Sequence, residues 1–353
     1  MFHILTINPG STSTKIGVFK DEQLIYECNI HHSSSELEKY KSIDEQTAFR
    51  SKVIEQALID ANIPLTQINA ISCRGGIIKR IASGTYLINE QILYDSSHST
   101  YDHPSNLAAL IGYDLGSRFN IPSFVTDPPS TYEAAPIAAI SGSPFMERPM
   151  TFHALNHKAI AKRHCRVQNI DYQNTTLIVA HLGGGISIGI HHNGRVIDVT
   201  DALSEGPFSP ERSGALPNKP LIELLISKPF SQQEAMKLIR GNAGFQAYLQ
   251  TNNMKEILAK VAQKDAKATL YFDAFIYQIA KEIGAMATTV NGKVTAIILT
   301  GGIAHSELVV AKIKECTQWI APVFAYPGEE ELRALNEGVL SVLQGKEKVK
   351  QYL

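Results

Sequence analysis

The sequence has few of the features that mark several large classes of protein. Its 353 residues include 33 Lys and Arg against 34 Asp and Glu, so there is no excess of positive charge to attract nucleic acid or an anionic membrane. No apolar run approaches the length of a membrane-spanning helix, and the chain does not open with the basic and apolar segments of a signal peptide. We therefore expect the partner to be a small molecule.

Cysteine is scarce as well. The four cysteines are scattered along the chain and form no CxxC pair, which argues against a zinc site and against a disulfide framework. This pattern fits a protein of the reducing cytoplasm.

Several standard motifs are missing, including the GxxxxGK[ST] phosphate loop, a GxGxxG turn that opens a helix, and the HExxH zinc motif. Residues 8–15, NPGSTSTK, nevertheless offer one amide, four hydroxyls and one ammonium around a turn, a set suited to phosphate oxygens and a hydrated Mg²⁺. Phosphoryl transfer mostly requires positioning and stabilisation of charge. Lys15, Arg74, His181 and Arg212 are the candidate cations and donors.

One pattern occurs twice in the chain. Residues 177–199 predict three strands, joined first by a turn of three glycines and then by a hairpin, and residues 4–30 predict the same meander. Farther along each half, a predicted helix precedes an apolar strand that ends in Gly-Gly-Ile, at residues 75–77 and 301–303. The repeat predicts a duplicated α/β domain.

Two such domains would face each other across a cleft, the usual place for a ligand and for hinge closure. Residues 141–149 are rich in Pro, Gly and Ser and predict the boundary between them. The predicted domains are residues 1–150 and 151–331, and the C-terminal helix, about 332–353, is expected to complete the first.

Candidate ligand-binding side chains follow predicted strands. Asp127 lies at the carboxyl end of a short strand, where open α/β sheets bind ligands, and Pro128 predicts an extended backbone there. Arg74 stands between an apolar strand and Gly75-Gly76, whereas Arg212 lies in a loop rich in Gly, Pro and Ser. The alternatives are a turn cap for Asp127 and solvated surface charges for the arginines.

Six strings resemble, in order, the signatures of the acetate kinase family. They are NPGSTSTK at 8–15, FHALNHK at 152–158, HLGGG at 181–185, ERSG at 211–214, LTGGI at 299–303 and PGEEEL at 327–332. The resemblance spans nearly the whole chain. It implies a duplicated actin-like ATPase fold, related to sugar kinases and to ribonuclease H, with a central cleft. It also implies phosphorylation of a short-chain carboxylic acid by ATP with Mg²⁺.

Carried over by position, the resemblance implies individual roles. Arg74 and Arg212 would hold the carboxylate and the phosphoryl group in flight, and His181 would donate to that group in the transition state. Asp127 would lie near the metal and substrate, and His153 would orient its neighbours. Contacts to phosphates or nucleotide are implied for Asn8, Ser11, Ser13, Lys15, Gly183, Gly184, Gly185, Gly301, Gly302 and Ile303.

Three adjacent acids make the metal-linked residue ambiguous. The resemblance implies Glu330, together with Asn8, and leaves Glu331 as the substitute. Acids in the first turn of a helix also suit the helix dipole, which is the structural alternative.

The chain departs from the acetate-specific pattern at several positions, and one of these departures bears on the substrate. The chain has HLGGG where those members have HLGNG, and Gly75 and Gly76 follow Arg74 where they have branched aliphatic residues. The chain is most similar to the butyrate-specific branch, and the two glycines are expected to leave room for a longer acid. Acetate, propionate and branched acids remain alternatives, as do a sugar or polyol kinase and a nucleotide-driven switch protein. We also expect a homodimer or larger homo-oligomer.

Overall fold

The computed structural model describes residues 1–99 and 104–353 and divides into two compact units. The first unit comprises Met1–Tyr132, Ala154–Ala159 and Glu330–Leu353, and the second comprises Glu133–His153 and Ile160–Glu329. The domain limits drawn from the sequence stay a prediction. Among the described residues, no helix is long and apolar enough to cross a membrane.

Each unit is built on one sheet. The strands are β1 (His3–Pro9), β2 (Ser13–Lys20), β3 (Gln23–His31), β4 (Ala70–Arg74), β5 (Thr85–Leu87), β6 (Ser123–Thr126), β7 (Thr176–Leu182), β8 (Ile186–His192), β9 (Arg195–Val199), β10 (Ala296–Gly301) and β11 (Val323–Pro327). The first sheet has the order β3-β2-β1-β4-β6-β5, and the second has the order β11-β10-β7-β8-β9.

The two sheets repeat one topology. In each, three consecutive strands form an antiparallel meander, a later strand pairs in parallel with the first of them, and a second later strand pairs in parallel with that one. Thus β1, β2, β3, β4 and β6 correspond to β7, β8, β9, β10 and β11. Strand β5 is an extra antiparallel edge strand of the first sheet. The duplicated α/β pattern predicted from the sequence is confirmed.

Helices cover both faces of each sheet. They are α1 (Ser34–Leu37), α2 (Thr47–Asp60), α3 (Glu90–Ser97), α4 (Leu107–Phe119), α5 (Pro136–Ala139), α6 (Ala154–Gln168), α7 (Asn218–Ser227), α8 (Gln232–Lys237), α9 (Gly244–Leu249), α10 (Met254–Ala262), α11 (Ala266–Thr288), α12 (Glu307–Thr317) and α13 (Glu331–Leu343). Helices α7 to α10 belong to the segment between β9 and α11, which the first repeat lacks.

The side-chain alternation of the central strands explains this layering. In β7, Ile178 and Ala180 pack with α11, while Leu177 and Val179 point to the opposite face and pack with the second half of α6. Such strands are buried on both faces and therefore read as continuous apolar runs. In the first sheet, Leu5 and Ile7 of β1 pack with α2 and α4, whereas α13 covers the other face.

Candidate active site

The parallel strands of the first unit end at one edge of its sheet, where an arginine, an amide and a carboxylate meet. Arg74, the last residue of β4, donates from Nη1 to Asn8 Oδ1 and to Glu331 Oε2, each at 3.1 Å. The same nitrogen lies 3.0 Å from Glu331 Oε1. Asn8 Nδ2 also donates to Glu331 Oε2. The structure therefore brings together Asn8, Arg74 and the first residue of α13.

The three adjacent acids point to different partners. Glu330 has φ 43° and ψ 35° at the start of α13, and its Oε2 lies 3.9 Å from Arg333 Nε. In the second unit, Glu329 Oε1 lies 3.5 Å from His181 Nε2. Glu330 thus separates two acids whose carboxylates have different partners. Of the two residues left open by the sequence, Glu331 is the one beside Asn8 and Arg74.

Asp127 follows β6 and is buried, as expected for a residue at a strand end. Its φ of 40° shows that the predicted extended backbone is wrong. Oδ1 accepts hydrogen bonds from Ser83 Oγ at 2.7 Å and from Gly84 N at 2.8 Å, and these bonds hold a conformation that costs about 1–3 kcal/mol. The Asp127 carboxylate therefore holds residues 83–84 in place through these two hydrogen bonds. A part in catalysis stays a prediction.

The β1–β2 turn contains the predicted phosphate-binding hydroxyls. Ser11 is exposed at its tip, and Ser13 begins β2. Lys15 forms an ion pair with Glu27 of β3, with Nζ 2.8 Å from Oε1, instead of joining the cluster at Arg74. Arg50 of α2 lies behind the turn, and sequence reasoning missed it because a charged residue on a helix usually faces solvent.

Two stacked histidines form the centre of the second unit's site. His181 of β7 is 2 % exposed, and its ring lies 3.8 Å from that of His153 with a 12° angle between the planes. His153 Nδ1 lies 2.9 Å from Ser187 Oγ. The predicted orienting residue His153 thus supports one face of the His181 ring. Ser187 carries no local sequence signal beyond its place in β8, so the sequence alone does not identify it.

Arg212 packs directly on the glycine turn between β7 and β8. A Cβ added at Gly185 would lie 2.0 Å from Arg212 Nη1 and 2.4 Å from Cζ, so a side chain there would displace the guanidinium. Nη1 donates to Ala202 O at 2.9 Å, and Nε is buried with no hydrogen-bond partner among the described residues. Burial lowers the pKa of the guanidinium, which still keeps its charge. Arg212 is thus partly buried against the turn and is not a fully solvated charge. Its part in catalysis stays a prediction.

An unsatisfied buried donor is costly, and an anionic oxygen would satisfy it. Beside the turn lies a pocket of about 590 Å³, within the range of small-molecule sites. Its lining comprises Gly183, Gly184, Pro210, Glu211, Asn252, Asn253, Met254, Lys255, Leu258, Gly302, Ile303, His305, Ser306 and Glu329. The predicted nucleotide residues Gly183, Gly184, Gly302 and Ile303 are among them.

Gly301 has a different reason to be glycine. Its φ is 88°, its backbone exchanges two 3.0 Å hydrogen bonds with Gly328, and an added Cβ would lie 2.4 Å from Leu182 O. One side of the 590 Å³ pocket is formed by residues 252–258, at the start of α10, and the sequence did not indicate these residues. That segment belongs to the part without a counterpart in the first repeat, so the repeat gave no signal for it.

Gly75 and Gly76 do not leave the room that the sequence analysis inferred from them. A Cβ at Gly75 would lie 2.3 Å from Pro128 Cβ and 2.6 Å from Val125 Cγ1. A Cβ at Gly76 would lie 2.1 Å from Asn106 Oδ1 and 2.7 Å from Asn106 Cα. Neighbouring residues already fill the space, so these glycines allow close packing and supply no pocket for an acid's tail.

We expect Gly76→Val to destabilise the protein and not to change substrate preference selectively. Valine would displace Asn106, whose Oδ1 accepts a hydrogen bond from Ile77 N at 2.9 Å. Overpacking of this kind costs about 1–3 kcal/mol, which is several degrees in the unfolding temperature. The matched control is Gly142→Val, because no atom lies within 4 Å of a Cβ there. Equal melting temperatures for the two variants would contradict the prediction.

The comparisons with known proteins agree with this geometry. A model of the acetokinase family matches residues 125–319. The chain is also 45% identical to Butyrate kinase 1 of Clostridium acetobutylicum over 354 residues, covering 100% of both proteins. The chain belongs to the acetokinase family. The resemblance stated from the six short strings is confirmed.

Solved structures of an acetate kinase and of a propionate kinase have the same fold. Acetate kinase of Porphyromonas gingivalis superimposes with a TM-score of 0.81 at 18% identity, covering 96% of this chain and 99% of that one. A propionate kinase of Francisella tularensis gives 0.78 at 18% identity, covering 96% and 99%. The predicted duplicated actin-like ATPase fold is confirmed.

Proposed function

We propose that the protein transfers the terminal phosphoryl group of ATP to the carboxylate of a short-chain acid, with butyrate as the preferred acceptor. Membership of the acetokinase family and the full-length similarity to Butyrate kinase 1 support the reaction and the acid. The observation that carries the chemistry is Arg212. Its guanidinium lies against the glycine turn beside the pocket, and its Nε has no hydrogen-bond partner among the described residues.

The reaction suits this set of side chains. A carboxylate is already ionised at neutral pH, so one of its oxygens can attack phosphorus without a general base. The new O–P bond forms as the bond to the leaving ADP breaks. The transferring group spreads its negative charge over its oxygens, and fixed cations and donors stabilise that charge. We assign this role to Arg212 and His181 in the second unit and the carboxylate contact to Arg74 in the first.

His181 needs a fixed ring to act as a donor. The stacked His153 ring and the contact of His153 with Ser187 restrict it from one side, and Glu329 lies within 3.5 Å of Nε2 on another. The arrangement therefore supports donation from Nε2 to a phosphoryl oxygen.

Mg²⁺ is the expected companion of ATP. Within residues 1–99 and 104–353, no group of three or more His, Cys, Asp or Glu side chains forms a metal site. Magnesium often takes only one or two carboxylates and completes its shell with water and substrate phosphates. The Glu331 carboxylate and the Asn8 amide oxygen fit such a set. Bound there, the ion would neutralise phosphate charge.

A hydroxamate-trapping assay with ATP, Mg²⁺ and a series of acids from two to six carbons tests the proposal. We expect acyl hydroxamate to form with short acids and kcat/KM to be highest for butyrate, about tenfold above acetate, because each buried methylene is worth roughly 0.8 kcal/mol. A sugar or glycerol should give no ADP release. Phosphorylation of the hydroxyl compounds, or ATP turnover without acyl phosphate, would refute the carboxylate assignment.

The cytoplasmic location and the homo-oligomer stay predictions from the sequence.

A further inference from the structure

Arg50 of α2 is a buried cation for which the proposed reaction gives no role. Its side chain is 1 % exposed. Nε and Nη2 donate to Gln46 Oε1 at 3.1 and 2.9 Å, which fixes the plane of the guanidinium. The remaining hydrogen bonds reach the β1–β2 turn. They go to the carbonyl oxygens of Gly10 at 2.9 Å, Ser11 at 3.0 Å and Ser13 at 3.0 Å, and to Thr14 Oγ1 at 3.1 Å.

No acid balances this charge. In the part of the chain that the structure describes, Arg50 has no ion-pair partner, and burial alone lowers the pKa of its guanidinium. The adjacent His32 contacts Thr14 Oγ1 through Nε2 at 2.8 Å, and burial, aided by Arg50, lowers the pKa of His32 to about 4. His32 is thus neutral near pH 7. Burying a cation without a counter-ion is expensive, and here carbonyl oxygens of the turn stabilise it.

These hydrogen bonds fix the orientation of the turn's peptide groups. A trans peptide directs its C=O and N–H to opposite sides. Because the carbonyls of Gly10 and Ser11 point to Arg50, the N–H groups of Ser11 and Thr12 point away from it. Both residues are exposed, and neither N–H donates to another group among the described residues. Successive amides facing one way form a concave anion site.

We propose that Arg50 is a positioning residue for phosphoryl transfer, because it orients the amides of Ser11 and Thr12 toward a phosphate of the bound nucleotide. The inference rests on the proposed function, since it takes the anion to be a phosphate of ATP. Lysine at this position would keep a charge but lose the planar fork that bonds several carbonyls at once. The peptides of the turn would then be free to rotate.

The test is hydrogen–deuterium exchange of residues 8–15, measured on the full chain with and without ATP, together with steady-state kinetics. In the wild type, ATP is expected to slow exchange at this turn. In Arg50→Lys the protection should disappear, and KM for ATP should rise about tenfold, the equivalent of one charge-assisted hydrogen bond. KM for butyrate should change less than about twofold.

Arg118→Lys is the matched control, because that arginine lies in the same unit, is largely exposed and pairs with Glu55 at 2.9 Å. It should match the wild type in both measurements. If Arg50→Lys does not fold, Gln46→Ala replaces it, since it removes only the two bonds that orient the guanidinium. A folded Arg50→Lys or Gln46→Ala with unchanged protection and unchanged KM for ATP would overturn the inference and leave Arg50 a purely stabilising role.

The assay separates this inference from the proposed function. Wild-type protein that is protected by ATP but makes no acyl hydroxamate would refute the carboxylate kinase and leave Arg50 as an organiser of a nucleotide site. Wild-type protein that makes acyl hydroxamate without ATP-dependent protection of the turn would refute the role of Arg50 and leave the enzyme assignment intact.

Discussion

Arg212→Ala is expected to lower turnover about a hundredfold to a thousandfold while leaving ATP affinity nearly unchanged. The guanidinium lies against Gly185 and has a buried Nε without a partner, so its free donor is placed for charge that develops during the reaction. An interaction made mainly in the transition state affects kcat more than binding. Turnover by hydroxamate trapping and nucleotide affinity by calorimetry measure the two effects separately.

Arg212→Lys should recover little of the activity, because an ammonium cannot reproduce the planar contact with the turn. Arg195→Ala is the control in the same unit, since Arg195 is exposed and donates to a backbone carbonyl, Glu133 O, at 3.1 Å. Arg74→Ala in the first unit should cause a loss of the same order. Near-normal turnover of a folded Arg212→Ala protein would remove Arg212 from the catalytic set.

Glu331→Gln should raise the Mg²⁺ concentration needed for half-maximal activity by about tenfold or more, and Glu330→Gln should not. Glu331 shares hydrogen bonds with Asn8 and Arg74. Glu330 instead faces Arg333, at 3.9 Å. The two variants differ by one position and make the same chemical change, so each controls for the other. A Mg²⁺ titration of turnover at saturating ATP and butyrate gives the comparison.

A shifted Mg²⁺ requirement in Glu330→Gln alone would contradict the assignment made from the structure and favour the residue that the resemblance first implied. No shift in either variant would leave the acids only a favourable interaction with the dipole of α13. Because Glu331 also pairs with Arg74, KM for butyrate should be followed in parallel. A change confined to that KM would show that Glu331 orients the arginine and has no link to the metal.

The sequence by itself determined the architecture. Strand alternation, glycine turns and the repeated meander are local patterns, and two copies of them predicted two sheets of one topology. The strings around Asn8, His181 and Arg212 were enough to identify the family, because their residue types and their places next to turns recur in a fixed order along the chain. Burial of His181 and the contact of Arg212 with Gly185 then followed from positions that the sequence had singled out.

Only the tertiary structure decided which side chains meet. Glu331 lies 257 positions from Arg74 in the chain, so no local pattern shows that these two side chains meet. The space beside Gly76 is filled by Asn106, 30 residues away by the numbering, so a missing side chain did not mean an empty volume. From the sequence, Arg50 would be assigned to the protein surface. In the folded structure, α2 packs behind the β1–β2 turn and buries this arginine. Such contacts depend on backbone direction and on residues distant in sequence, and local patterns carry neither.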